Sequence, residues 1–257
     1  VVAAYHRNVD SIDAELFRLP LEELYRLAGP NQWETFEQYE VPDQDENRIW
    51  ARSYPTTAAT NELGVRLIEL EDEAGVDLAP GAYLLQVERP PSSEPVDPNL
   101  GTPLPTRDNF VIIISNYNLV IKQSQVGESL AWLPDLTPGQ PVADAAVAFR
   151  HGSDVLAEGV TNDEGLVLSA IVMPEESSWE PILAVSGAPG EEIFAAASTE
   201  WSNGIAPWDF GLPTGYGEQT LQSFFYTDRP IYRPGDTVYW KGILREQTDA
   251  GYRLPEP

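Results

Sequence analysis

Between Leu119 and Ser198, apolar and polar residues alternate in short runs, each closed by Gly, Pro, Asn or Asp. A strand throws successive side chains to opposite faces, so this period of two is the pattern of half-buried β-strands separated by turns. Seven strands are expected: Leu119–Gln123, Glu128–Trp132, Ala145–Phe149, Val155–Gly159, Leu166–Ile171, Pro181–Ser186 and Ile193–Ser198. Asn162-Asp163-Glu164-Gly165 carries hairpin chemistry, because Asn and Asp bond locally to backbone and Gly takes left-handed φ. Seven short strands in one segment predict an antiparallel β-sandwich.

The flanking segments follow the same rhythm with one exception. Pro20 stands where a first helical turn tolerates proline, Leu21, Leu24, Tyr25 and Ala28 follow at helical spacing, and Gly29-Pro30 ends the run. This predicts a short helix across one end or face of the first sandwich. Ile12, Ala14 and Leu16 alternate before it, and Tyr83, Leu85 and Val87 alternate on a late strand, 81–88. The apolar run 110–114 is expected to pair with that strand across a proline-rich loop from Pro90 to Arg107, which places a domain boundary near Asn116. At the far end, Tyr226 to Gly242 reads as two strands joined by a tight turn. Pro234 fixes φ for the first central turn position and Gly235 accepts the positive φ of the next. Val238, Trp240 and Leu244 fall on one face of its second strand; Tyr239, Lys241 and Arg245 fall on the other.

Composition narrows function more than fold. The chain has 257 residues, 41 acidic against 15 basic, for a net charge of −26. Nucleic acid and anionic lipid are bound through clustered Lys and Arg, so both are excluded as expected partners. No cysteine is present, which removes disulfides, thiolate metal sites and cysteine nucleophiles. No apolar run approaches the ~18 residues of a membrane helix.

Each candidate site reads as structural. Asp43-Gln44-Asp45-Glu46-Asn47 begins like a calcium loop, but Arg48 replaces the turn glycine and Tyr54 the closing glutamate. His6 and His151 share no ligand spacing. The carboxylates of Glu69, Glu71, Asp72 and Glu73 are expected in an exposed turn. Trp132, Trp201 and Trp240 are expected in core or interdomain packing. Asp228-Arg229 and Tyr232-Arg233 are read as an ion pair and an aromatic cap that fix the entry to the last unit. No catalytic, cofactor or metal residue is assigned, and the chain is not expected to be an enzyme.

The stretch Tyr226-Thr227-Asp228-Arg229-Pro230-Ile231-Tyr232-Arg233-Pro234-Gly235, running on through Val238-Tyr239-Trp240-Lys241-Gly242, closely resembles the opening of one macroglobulin domain in bacterial alpha-2-macroglobulins. Trp132-Leu133-Pro134-Asp135-Leu136-Thr137-Pro138-Gly139-Gln140-Pro141-Val142 and Ala157-Glu158-Gly159-Val160-Thr161-Asn162-Asp163-Glu164-Gly165 are similar to a second such domain. The resemblance implies tandem all-β, seven-stranded macroglobulin-like sandwiches: 1–116 with the helix and the proline-rich loop, 117–200, and 201–257 as a connector plus a truncated third domain. It implies a scaffold role in a protease-trapping inhibitor, with other domains of the same chain and, through the whole protein, proteases as partners. A periplasmic or cell-surface location follows, with any lipid anchor outside these residues. Gly215-Tyr216-Gly217-Glu218-Gln219 departs from the family's thioester motif at Tyr216, where the sulfur would sit, and reads as connector. A surface adhesin or carbohydrate-binding array of immunoglobulin-like modules is the alternative.

Overall fold

The structure, a computed structural model, describes residues 1–28, 36, 39–57, 59, 61–88, 107–123, 127–171, 173, 180–201, 221–248 and 251–255. The Pro90–Pro105 stretch and the 202–220 connector therefore lie outside the described residues.

The N-terminal part holds β1 (Val2–His6), β2 (Ser11–Arg18), helix α1 (Leu21–Leu27), the single-turn helix α2 (Gln44–Asn47), β3 (Arg48–Pro55), β4 (Gly64–Ile68), β5 (Gly81–Glu88) and β6 (Arg107–Ile114). Every strand pair is antiparallel, β1 with β4 and then β3-β2-β5-β6. The first sandwich thus has six named strands among the described residues, four against two. Leu16 opposes Leu85 and Phe17 opposes Leu84, so the period of two sorts each strand between two faces. Ala14, Leu16, Tyr83 and Leu85 meet Ile68 and Trp50 in one core, with Val2 and Ala4 of β1 packed against it. The expected pairing of 81–88 with 110–114 is present over the whole length of β6.

Seven further strands form the second sandwich: β7 (Val120–Gln123), β8 (Glu128–Trp132), β9 (Ala146–His151), β10 (Asp154–Val160), β11 (Leu166–Ala170), β12 (Leu183–Ser186) and β13 (Ala195–Ser198). Sheets β10-β9-β12-β13 and β11-β8-β7 enclose Leu133, Val147, Phe149, Val167, Ile182 and Ala184. All seven match the strands expected from the alternation.

The two sandwiches also share a core. Phe17, Ala82 and Leu84 on the second face of the first sheet meet α1 through Leu24, Tyr25 and Leu27, and both meet Leu183, Val185 and Phe194 of the second sandwich. Strands β5 and β12 are therefore covered on both faces, which explains their runs of buried residues. It also explains the apolar run in β6, where Val111 and Ile113 turn to the shared core and Ile112 and Ile114 to the first one. The resulting order of layers is β1/β4, the first four-stranded sheet, α1 with the second four-stranded sheet, then β11-β8-β7. Polar contacts seal the junction: Gly190 N–H donates to Pro80 O at 3.0 Å, Ser115 Oγ–H donates to Phe194 O, and the Arg150 guanidinium lies 4.0 Å from the Tyr25 ring centre.

β14 (Leu221–Thr227), β15 (Trp240–Thr248) and β16 (Gly251–Arg253) form a separate three-stranded meander. Its second strand begins at Trp240, two residues later than the alternation suggested, because 228–239 is held by its own hydrogen bonds.

A shared core predicts shared unfolding. Truncating a fully buried leucine costs about 2–5 kcal/mol, so Leu183→Ala in β12 will lower the denaturation midpoint read from the indole N–H signal of Trp50 in the other sandwich. An unchanged Trp50 transition would show that the two sandwiches unfold independently.

Candidate functional site

The family-like phrases of the second sandwich fold against each other. Asn162 Oδ1 accepts the amides of Glu164 and Leu166 at 3.0 Å each, and Gly165 sits at φ +72°. A Cβ on Gly165 would stand 2.9 Å from Leu133 O and 3.0 Å from Pro141 Cβ, so the strained backbone and the close approach both demand glycine. Asp135 Oδ1 caps Thr137 N–H at 2.8 Å, and buried Thr161 accepts Ala145 N–H through its hydroxyl at 2.9 Å. These residues hold sandwich loops; they do not converge on a reacting atom.

The third sheet's entry loop is built around Asp228. Its carboxylate accepts Tyr232 O–H, Arg229 Nε–H at 3.2 Å and Tyr239 N–H at 3.3 Å. Asp236 accepts Arg233 N–H at 3.1 Å, and Asp236 N–H closes the turn on Arg233 O at 3.0 Å, with Gly235 at φ +93°. The expected type II turn is thus present, as are the ion pair and the aromatic cap, with Arg229 over the Tyr232 ring at 4.9 Å. The Tyr232 hydrogen bond leads the contacts that hold the Asp228 carboxyl below its ordinary value. The loop leaves Ile231 82% exposed.

On the sheet itself, Phe225 covers Gly242, where a Cβ would lie 2.7 Å from the ring, and tilts against Trp240 at 5.8 Å. Phe224 and Tyr226 meet on the other face at 6.2 Å. Trp240 is 68% exposed, and Trp132 and Trp201 are also exposed, which corrects the core half of the expectation that these three serve core or interdomain packing. Trp132 ends β8 on its outward face; Trp240 stands on a sheet that no second layer covers among the described residues. The buried indole is Trp50, which donates to Glu71 O at 2.7 Å. Trp33, Trp179 and Trp208 lie outside the described residues, as does Gly215–Gln219.

A buried polar cluster escaped the sequence reading. Gln86 Nε2 donates to Tyr39 O and Asn109 Oδ1 at 3.0 Å each, and Asn109 Nδ2 donates to Phe36 O at 2.6 Å. The side chain of Tyr39 extends the cluster to α1, where its O–H donates to Glu23 Oε2 at 2.7 Å beside Arg26 at 2.6 Å. Burial raises the Glu23 carboxyl, but the Tyr39 and Arg26 hydrogen bonds outweigh it and leave it below its ordinary value; burial, then Glu23, raise the Tyr39 phenol. The signal for this cluster was Asn109 standing polar at the head of an apolar strand.

The remaining candidates are spent on structure. Gln44–Asn47 is a one-turn helix preceded by Asp43 in the left-handed region, with Asp45 exposed and 3.5 Å from Arg48, rather than a ligand loop. His151 Nε2 lies 2.5 Å from Glu180 Oε2, and His6 Nδ1 is buried without a hydrogen-bond partner among the described residues. Glu71 and Asp72 are half-buried, which corrects their placement in an exposed turn: Asp72 Oδ1 caps Ala74 and Val76, and Glu71 faces Arg52 at 3.6 Å. A concavity of about 430 Å³ over β2 and β5 is lined by Asp13, Glu15, Arg52, Glu88 and Arg107. Both its arginines are already paired, Arg52 with Glu71 and Arg107 with Glu40 and Glu88. Among the described residues, no helix is long and apolar enough to cross a membrane.

Fold and sites together define a tandem antiparallel β-sandwich protein whose polar clusters brace loops. Over 144 residues, 56% of its length, it is 30% identical to an alpha-2-macroglobulin of Ralstonia nicotianae, and over 266 aligned positions, 95% of its length, 23% identical to one of Pasteurella multocida. It spans 8% and 14% of those proteins. Among solved structures it resembles Escherichia coli alpha-2-macroglobulin segments. The one spanning domains NIE-MG1 matches with TM-score 0.53 and 11% identity over 77% of this chain and 88% of that one. The one spanning MG0-NIE-MG1 matches with TM-score 0.55 and 14% identity over 77% and 57%. No family model matches. The chain is related to the bacterial alpha-2-macroglobulins.

Glu23 yields a pH prediction. A carboxyl lowered in the folded state contributes stability that is complete above its unfolded value of 4.5 and is lost as pH falls through the folded value. Glu23→Gln should cost about 1–3 kcal/mol near neutral pH, and the gap from wild type should narrow as pH falls below 4.5 in denaturant titrations. A gap independent of pH would assign the loss to packing instead.

Proposed function

We propose that residues 1–257 are a scaffold segment of a bacterial alpha-2-macroglobulin, an inhibitor that traps proteases after they cleave a bait segment elsewhere in the protein. In this reading the three units are 1–116, 117–200 and 201–257. The observation that carries the reading is the Asp228 loop. Its family-like residues are bonded to one another, as a rigid entry to a further module requires. In this reading the segment performs no chemistry. Its partners are other macroglobulin domains of the same polypeptide and, through the whole protein, proteases, in the periplasm or at the cell surface.

A direct test compares the isolated chain with the full-length protein against a panel of proteases. The full-length protein should shield large protein substrates while leaving small peptide substrates cleaved, and the isolated chain should do neither. Stoichiometric inhibition or turnover by the isolated chain would contradict the reading. The exposed pairs Phe224–Tyr226 and Phe225–Trp240 favour a second reading, a surface adhesin or carbohydrate-binding array. Saturable glycan binding abolished by Trp240→Ala would establish it, since fold alone does not assign function.

A further inference from the structure

Strands buried on both faces read as continuous apolar runs, while strands with one face in water alternate. β5 and β12 owe their runs to cover on both faces. Two strands of the second sandwich carry the same signature, Leu130-Ala131-Trp132-Leu133 through the end of β8 and Leu166-Val167-Leu168 in β11. Ala131, Leu133 and Val167 belong to that sandwich's own core. Their neighbours stand on the outer face of β11-β8-β7, the last layer of the stack, which nothing covers among the described residues. Directly opposed residues share a face, so Trp132 stands between Val120 and Leu166, and Leu130 between Lys122 and Leu168. Leu168 is 76% exposed, and Trp132 is exposed beside it. Over the open concavity of the first sheet, by contrast, Asp13 stands between Ser53 and Glu88. The second sandwich has all seven of its strands and a closed core, so this apolar face is not half of a core that lacks its own partner sheet.

A sheet face whose middle is apolar but for Lys122 has the make-up of a permanent interface, a domain core cut in half, and not of a surface kept in water. We infer that the outer face of β11-β8-β7, centred on Leu130, Trp132 and Leu168, is the seat of another domain of the same polypeptide, which meets it with an apolar surface. The face lacks the array of charges that steers a separate molecule to a site and fixes its register. A tethered domain needs no such steering, because the tether supplies an effective concentration of about 1 mM. The relatives carry ample polypeptide for that role: this chain spans 8% and 14% of the alpha-2-macroglobulins it matches. The inference rests on the scaffold reading and adds to it the surface through which the segment is joined to the remainder.

Hydroxyl-radical footprinting of the isolated chain and of the full-length protein provides the test. Oxidation of Trp132 and Leu168 should be about fivefold or more slower in the full-length protein, as at the dry core of an interface. The protection should not depend on protein concentration, and buried Trp50 should react slowly in both proteins. Leu168→Asp changes an exposed side chain, so it should leave the isolated chain's pattern as it was and return Trp132 of the full-length protein to the fast rate. Equal rates in the two proteins would overturn the inference. So would protection that grows with concentration, the mark of a second copy, or protection of the full-length protein that Leu168→Asp leaves intact. Protease trapping is read by a separate assay. A full-length protein that traps with Trp132 bare refutes this contact alone, and one that covers Trp132 without trapping refutes only the inhibitor reading.

Discussion

The apolar layer between β5 and β12 is the contact on which the rest of the architecture rests. Phe17, Leu84, Leu183, Val185 and Phe194 meet there with α1, and each strand involved also faces a core of its own. Burying apolar area is worth about 25 cal/mol per Å² wherever it occurs. A junction made of fully buried leucines and phenylalanines therefore resembles the inside of a domain more than the polar interfaces that usually let domains move. The short helix matters because it fills the space that two twisted sheets leave between them, and Arg150 stacked on Tyr25 closes its edge.

That rigidity suits a structural part. Gly187, whose Cβ would lie 1.8 Å from Ile193 O, lets the chain turn sharply between β12 and β13, so that Val185 and Phe194 both reach the shared core. The third sheet is the opposite case. Its strands are fully paired, its entry loop is braced through Asp228, and its rings are exposed on both faces. Local hydrogen bonds define its shape, while apolar packing, the usual source of sheet stability, is missing among the described residues.

Much of this was legible in the residues. Alternation located all seven strands of the second sandwich, Leu21 to Ala28 located α1, and Pro234-Gly235 located a turn, because each depends on neighbours within a few positions. What was not legible depends on distant partners. The even positions of β5 look solvent-facing until Leu183 and Val185 are brought onto them from a hundred residues away. Trp240 looks like core from its spacing and is exposed because exposure is decided by a covering layer, which spacing does not encode. Gln86 and Asn109 appeared as ordinary polar residues, and only the fold makes each the other's partner.

Native-state hydrogen exchange tests the fused core most directly. If the two sandwiches are one cooperative body, the slowest amides of β5 and β12 will open with the same free energy and the same response to denaturant. Opening of β12 at markedly lower free energy than β5, with its own denaturant slope, would contradict the account.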